Sequence, residues 1–197
     1  MSDLQCPARI VLARHGEAEY ESPLLHDHGG SLTPTGRAQA RALGDRLREE
    51  RIAHVYTSSL ARAVQTGELA AAVLGVEVTV REGLHEFGAG DARGVTFEDA
   101  LFGPVFTAWL GGDAETRVPG GESGAEIARR VVDVLDDLAD RHRGETLLVV
   151  AHGGAILATL SVVAWRAGRS DAIANCAFAV LERDGDGWRL AADLPAR

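Results

Sequence analysis

Thr146-Leu147-Leu148-Val149-Val150-Ala151-His152-Gly153-Gly154 is the stretch whose reading decides the fold. From Thr146 to Ala151 no charge interrupts the run and no polar residue alternates with the apolar ones. A strand covered on both faces reads this way, whereas a strand with one wet face alternates. The run therefore predicts a central strand of a parallel sheet. Gly153-Gly154 then opens an apolar helical segment that reaches to about Ala167. A strand, one polar residue, a glycine and a helix make the junction of an α/β fold.

The same order recurs on the N-terminal side. Ala8-Arg9-Ile10-Val11-Leu12-Ala13 reads as a buried strand and ends at Arg14-His15-Gly16-Glu17. A polar loop covers Glu17 to Ser31. Gly36 to Glu50 carries Ala40, Leu43 and Leu47 at helical spacing. Ile52 to Tyr56 is a short strand, and Ser58-Ser59 offer N-cap hydroxyls to a helix over Leu60 to Leu74. Val76 to Val80 is a third strand. Gly83 to Gly121 is rich in glycine and holds an apolar helical patch at Phe97 to Leu110. Ser123-Gly124-Ala125-Glu126 is a capping box for a long helix with Ile127, Val131, Leu135 and Leu138 on one face. Ala177 to Glu182 and Trp188 to Ala192 read as a terminal hairpin around Asp184-Gly185-Asp186-Gly187. The predicted fold is an α/β three-layer sandwich, a mostly parallel central sheet flanked by helices, in one domain over residues 1–197.

Composition narrows the function classes. The chain has 197 residues, 46% hydrophobic and 25% charged, with a formal net charge of -9. Acid excess argues against nucleic-acid partners and against an anionic membrane surface. It leaves room for an anionic small substrate in a locally basic pocket. Cys6 and Cys176 lie too far apart to form a disulfide framework and read as reduced thiols. Met1 to Pro7 lacks the pattern of a signal peptide, and no apolar run reaches membrane-spanning length. The expectation is a cytoplasmic protein, with a homodimer left open.

Ligands of open α/β sheets bind beyond the carboxyl ends of the strands. The chemistry-bearing residues fall there. Arg14 and His15 follow the first strand, Arg62 lies in the first turn after the second, Glu86 follows the third, and His152 follows the central one. Guanidinium forks suit phosphoryl oxygens. A neutral histidine can attack phosphorus, a second can donate a hydrogen bond, and a carboxyl can protonate the leaving oxygen. Helix N-termini at Ser59 and Gly153 would add backbone N–H groups.

These residues also resemble a family. The matching text is Leu12-Ala13-Arg14-His15-Gly16-Glu17; Leu32-Thr33-Pro34-Thr35-Gly36-Arg37-Ala38-Gln39-Ala40; Tyr56-Thr57-Ser58-Ser59-Leu60-Ala61-Arg62-Ala63-Val64-Gln65-Thr66; Leu84-His85-Glu86-Phe87 with Gly90 and Gly94; Pro119-Gly120-Gly121-Glu122-Ser123; and Val150-Ala151-His152-Gly153-Gly154. In this order the segments resemble the phosphoglycerate-mutase-like branch of the histidine phosphatase superfamily. The resemblance implies His15 as the phosphorylated nucleophile, Glu86 as the proton donor, and Arg14, Arg62 and His152 as the phosphate pocket. It implies neither metal nor organic cofactor. The expected activity is hydrolysis of a small phosphate ester through a phosphohistidine. Alternatives are a phosphoglycerate mutase primed by a bisphosphoglycerate, whose longer insertion after the acidic residue this chain lacks, and a non-catalytic module for phosphorylated ligands.

Two departures touch the substrate rim. Relatives often carry a threonine and an asparagine where this chain has Ala18 and Glu21. A Glu21 carboxylate aimed inward would repel an anion, so it is expected to point away. After Glu86 relatives often read Gly-x-Trp-Glu-Gly where this chain has Gly90-Asp91-Ala92-Arg93-Gly94, so Arg93 replaces a glutamate and either meets substrate or is a solvated loop arginine. His26-Asp27-His28 lacks a third ligand at metal-site spacing, so no metal is predicted. His54 and His142 read as surface residues, His85 as pointing away from Glu86's side, and Phe102, Phe106 and Trp109 as helical core rather than a substrate platform. A bell-shaped pH profile with an acidic or neutral optimum is expected, the arginines keeping His15 neutral.

Overall fold

The computed structural model describes residues 7–100, 102–164, 173–185 and 187–194. Its centre is the strand read above, β6 (Thr146–Ala151), every residue of which after Thr146 is buried. Parallel neighbours flank it on both sides, β1 (Ala8–Arg14) and β4 (Ile52–Thr57), and β5 (Val78–Val80) pairs parallel with β4. Beyond β1 the direction reverses: β7 (Phe178–Asp184) runs antiparallel to β1, and β8 (Gly187–Leu194) antiparallel to β7. The order is β5-β4-β6-β1-β7-β8. The fold is the predicted one, with the terminal hairpin as its antiparallel edge. A separate ribbon pairs β2 (Ala18–Glu19) with β3 (Ser31–Leu32).

Alternation along the strands separates the two covering layers. Ile10, Leu12, Leu147 and Val149 face α4 (Gly124–Arg141), α5 (Gly153–Val163) and α3 (Gly103–Leu110). Val11, Ala13, Leu148 and Val150 face α1 (Pro34–Arg46) and α2 (Ala61–Leu74). Burying a leucine or valine contributes about 1.5–3 kcal/mol, so these two seams hold the sandwich together. The α4 stripe of Ile127, Val131, Leu135 and Leu138 is buried as its spacing predicts, and both bonds of its capping box form.

Several boundaries differ from the sequence reading. α1 starts at Pro34 rather than Gly36, because Thr33 caps it: its hydroxyl accepts from Gly36 N–H at 2.9 Å, and proline tolerates the first helical position. It ends at Arg46, and Arg48–Glu50 tighten into a 3-10 turn before Arg51 enters the left-handed region. α2 starts at Ala61 with Leu60 at the cap and no side-chain cap bond, so the cap assigned to Ser58-Ser59 is not made. The third strand shrinks to Val78–Val80, and the patch at 97–110 is helical only over Gly103–Leu110. The expected end of α5 near Ala167, the hairpin residue Asp186 and Cys6 lie outside the described residues.

Candidate active site

The carboxyl ends of β1, β4 and β6 deliver their side chains to one edge of the sheet. His15 follows β1 directly and is anchored by its main chain. Its N–H donates to Ala151 O at 3.1 Å, and its carbonyl accepts from Asn175 Nδ2 at 3.0 Å. The ring is 4% exposed. Its Nδ1 lies 2.7 Å from Gly16 O, a carbonyl that only accepts, so Nδ1 carries the proton. Nε2 is then the lone-pair nitrogen, and Arg62 Nε–H donates to it at 3.3 Å. Burial, with Arg62 and then Arg14 adding to it, pushes the His15 pKa down to about 3 against the pull of Gly16 O. The arginines were expected to keep it neutral; burial is the larger cause.

Arg62 is itself buried and its Nη1 donates to Gly29 O at 2.7 Å. Thr66 Oγ1 binds Arg62 O at 2.7 Å and accepts from Gly16 N–H at 3.0 Å, joining the first turn of α2 to the loop after β1. Arg14 Nη1 donates to Ile173 O at 2.6 Å, while its buried Nε has no partner among the described residues. His152 is fully buried, its ring 5.2 Å from that of His15. Its Nε2 lies 2.6 Å from Ser58 Oγ, and that oxygen also accepts from Leu60 N–H at 3.3 Å. With Ser58 donating its hydroxyl proton to Nε2, the His152 proton sits on Nδ1. That buried Nδ1 also has no partner among the described residues. Burial, then Arg62 and His15, hold the His152 pKa well below the usual range. Two unsatisfied buried donors beside a lone-pair imidazole suit a ligand rich in acceptor oxygens, since buried donors otherwise find partners.

Glu86 sits opposite, on the N-terminus of α5. Oε2 accepts from Gly154 N–H at 3.0 Å, and Oε1 from Ala155 N–H at 2.8 Å and Phe87 N–H at 3.1 Å. Desolvation raises its pKa and outweighs these three donors and Arg62. The helix amides expected to face phosphate at Gly153 are thus engaged, at Gly154 and Ala155, by the carboxylate. The approach needs glycine: a Cβ on Gly154 would lie 2.8 Å from Glu86 Oε1 and overlap the Phe87 ring. Arg130 clamps the segment leading to Glu86, donating to Gly83 O at 2.8 Å and His85 O at 2.7 Å while paired with Glu122 at 2.7 Å.

A cavity of about 620 Å³ opens here, lined by Arg14, His15, Arg62 and Glu86; His152 and His85 are not among its lining residues. Glu21 does line the mouth, where it was expected to point away. Its Oε2 accepts from Gly30 N–H at 3.1 Å, and that bond among others holds its pKa low. Arg93 is not in the lining: it pairs with Asp27 and is 62% exposed. Asp27 Oδ1 also accepts from Ala89 N–H at 2.9 Å, so His26, Asp27 and His28 border the mouth. Among the described residues no three metal-ligating side chains converge. Phe102 and Phe106 pack against the core and also form cavity wall, meeting the Phe87 ring edge-on. His142 is no plain surface residue, since it bonds Tyr56 Oη at 2.8 Å and Glu145 at 2.6 Å.

Sequence reasoning missed Ser58, Thr66, Asn175 and the Arg130–Glu122 clamp. Ser58 and Thr66, in the Tyr56–Thr66 match, and Glu122, in the Pro119–Ser123 match, carried a signal; Asn175 and Arg130 carried none.

The histidine phosphatase superfamily (branch 1) model matches residues 10–192, and the chain belongs to that family. Phosphoglycerate mutase-like protein 4 of Arabidopsis thaliana is 32% identical over 191 residues, covering 93% of this chain and 83% of that protein. A probable phosphoglycerate mutase GpmB of Yersinia enterocolitica is 29% identical over 189 residues, covering 91% and 87%. A mycobacterial glucosyl-3-phosphoglycerate phosphatase, solved in complex with VO3, superposes with a TM-score of 0.78 at 26% identity, covering 95% of this chain and 99% of that one. Among the described residues no helix is long and apolar enough to cross a membrane.

Proposed function

We propose that the protein hydrolyses phosphomonoesters through a phosphohistidine on His15. One observation carries the reading: a buried imidazole with its proton fixed on Nδ1 and a bare Nε2 beside Arg62. Nε2 attacks phosphorus as the Arg62 Nε–H turns to a phosphoryl oxygen. Arg14 Nε and His152 Nδ1 donate to the other oxygens, using the two buried donors that lack partners. The P–O bond to the leaving group breaks, and Glu86, its pKa raised, gives that oxygen its proton. Glu86, now a carboxylate, takes a proton from water as the water oxygen attacks phosphorus and the P–N bond breaks. Phosphate leaves, His15 regains its lone pair and Glu86 its proton.

The substrate is a small-molecule phosphate ester and the chemistry calls on no cofactor. Neither nucleic acid nor membrane enters it. One catalytic unit over residues 1–197, placed in the cytoplasm, stays a reading of the sequence. A mutase would have to hold the carboxylate of a phosphoglycerate, and the ionised Glu21 at the cavity mouth opposes that. The test is phosphate release from 4-nitrophenyl phosphate: the wild type turns over, and His15→Ala falls at least a thousandfold. Retained turnover in His15→Ala contradicts the assignment.

A further inference from the structure

Beyond the phosphate end, the cavity has a character that the hydrolytic reading does not need. The chain contains no lysine, so any cation in it is arginine or histidine. Among the described residues the only guanidiniums in the lining are Arg14 and Arg62, both at the phosphate end. Arg93, the nearby candidate for a second anion, is spent on Asp27. The group that does reach the mouth is Glu21, a carboxylate held ionised by backbone N–H groups and by Arg62. His26, Asp27 and His28 also border the mouth, and the wall between it and the phosphate end is largely apolar, built from Leu25, Phe97, Phe102, Phe106, Leu110 and Leu157. Phe97 is 61% exposed at the opening, with its ring 5.8 Å from that of Phe102. An aromatic side chain left this open at the lip of a cavity of about 620 Å³ is placed to cover a ligand. A three-carbon acid would fill little of that volume and would put its carboxylate against Glu21 and phenyl rings.

We propose that the site selects phosphomonoesters of bulky, largely apolar alcohols or phenols that carry no second anionic group. The proposal rests on the reading of His15 as the phosphate-accepting residue. The phosphate anchors at Arg14 and Arg62, the organic group lies along the Phe102–Phe106 wall, and Phe97 closes over its outer end. Selectivity has two parts. Apolar area on the ester gains roughly fourfold in affinity for each methylene-sized unit taken from water. A second anion is disfavoured because the mouth sets the Glu21 carboxylate against it and, among the described lining residues, no guanidinium stands beyond Arg14 and Arg62.

Two measurements separate this proposal from the reading beneath it. The first is kcat/KM of the wild type for phenyl phosphate, 2-naphthyl phosphate and 3-phosphoglycerate, the two aryl esters having leaving oxygens of similar basicity. The second is the Kd of the same three esters for His15→Ala by calorimetry, which needs no turnover. The expected order in both is naphthyl over phenyl by about tenfold, and phenyl over phosphoglycerate by a hundredfold or more. Phe97→Ser should reduce the naphthyl advantage to threefold or less, and Glu21→Gln should raise the ratio of kcat/KM for phosphoglycerate to that for phenyl phosphate about tenfold. Hydrolysis with phosphoglycerate preferred, or with no naphthyl advantage, overturns the substrate class and leaves the hydrolase standing. The expected Kd order without hydrolysis overturns the hydrolase and keeps the ligand class. Neither hydrolysis nor the Kd order overturns both.

Discussion

His15 and Glu86 are pushed in opposite directions by the same loss of water, and that is what lets one pocket hold a neutral base and a protonated acid together. Burial disfavours whichever form is charged. For His15 it lowers the pKa to about 3, so the nucleophile is neutral over the working range. For Glu86 it raises the pKa, so a proton is held to a higher pH. The pH profile then takes its alkaline limb from Glu86, while His15 sets no limb above pH 4. Glu86→Gln should remove that limb for 4-nitrophenyl phosphate and cost less than tenfold there, but a hundredfold or more for an alkyl ester whose leaving oxygen needs the proton. Equal loss across leaving groups would contradict the acid role. Ser58 has a smaller part, donating to His152 Nε2 and so fixing the proton on Nδ1. Ser58→Ala should lower kcat about tenfold with KM for the ester changed less than threefold; a Tm change with unaltered kcat would mean that the bond is structural only. The five residues of the proposed phosphate site were legible because each lies at or beyond a strand end, a position visible in sequence. The roles of Ser58, Asn175 and Arg130 were not, because their partners lie 94, 160 and 45 positions away.

The elements convert those positions into distances. α5 matters most, since its first amides hold Glu86 and its second residue must be glycine for the carboxylate to reach them. Gly154→Ala should lower kcat at least tenfold. Gly153→Ala, where a Cβ would meet nothing closer than Arg14 Nε at 3.4 Å, should keep most activity. Similar losses in both would show that α5 tolerates no side chain for reasons other than Glu86. The strand at 146–151, the capping box at Ser123 and the α4 stripe were legible because each is a local pattern with a local cause. The start of α2 was not. Ser58 and Ser59 have the chemistry of an N-cap, but the Ser58 hydroxyl is drawn to His152 and the helix starts without a side-chain cap. The cavity wall was illegible for a related reason: Phe102 and Phe106 have the spacing of core residues and are core, and only the packed structure shows that their other edge faces the opening.

For the whole molecule, the same buried histidines govern acid stability. Their folded pKa values lie below the unfolded one, about 6.5 for histidine, so the unfolded chain binds protons first as pH falls. Stability is full above pH 6.5 and is lost below it, by up to about 1.4 kcal/mol per pH unit for each histidine. Glu86 works the other way: its folded pKa is raised, so its contribution is present below its unfolded pKa and lost as pH rises through the folded one. Urea unfolding at pH 7.5 and 5.0 should therefore show a smaller pH dependence in His15→Ala than in the wild type; parallel losses would mean that His15 is already charged or solvated in the folded state. In the proposed mechanism the phosphoryl group passes from an ester oxygen to His15 Nε2 and from there to water. The direct measurement is to mix the wild type with phosphate-labelled 4-nitrophenyl phosphate, quench within milliseconds, and map the label by peptide sequencing. The account predicts one acid-labile, base-stable phosphoryl group on His15, absent from His15→Ala. Turnover with no labelled protein at any quench time, or with the label on another residue, would contradict it.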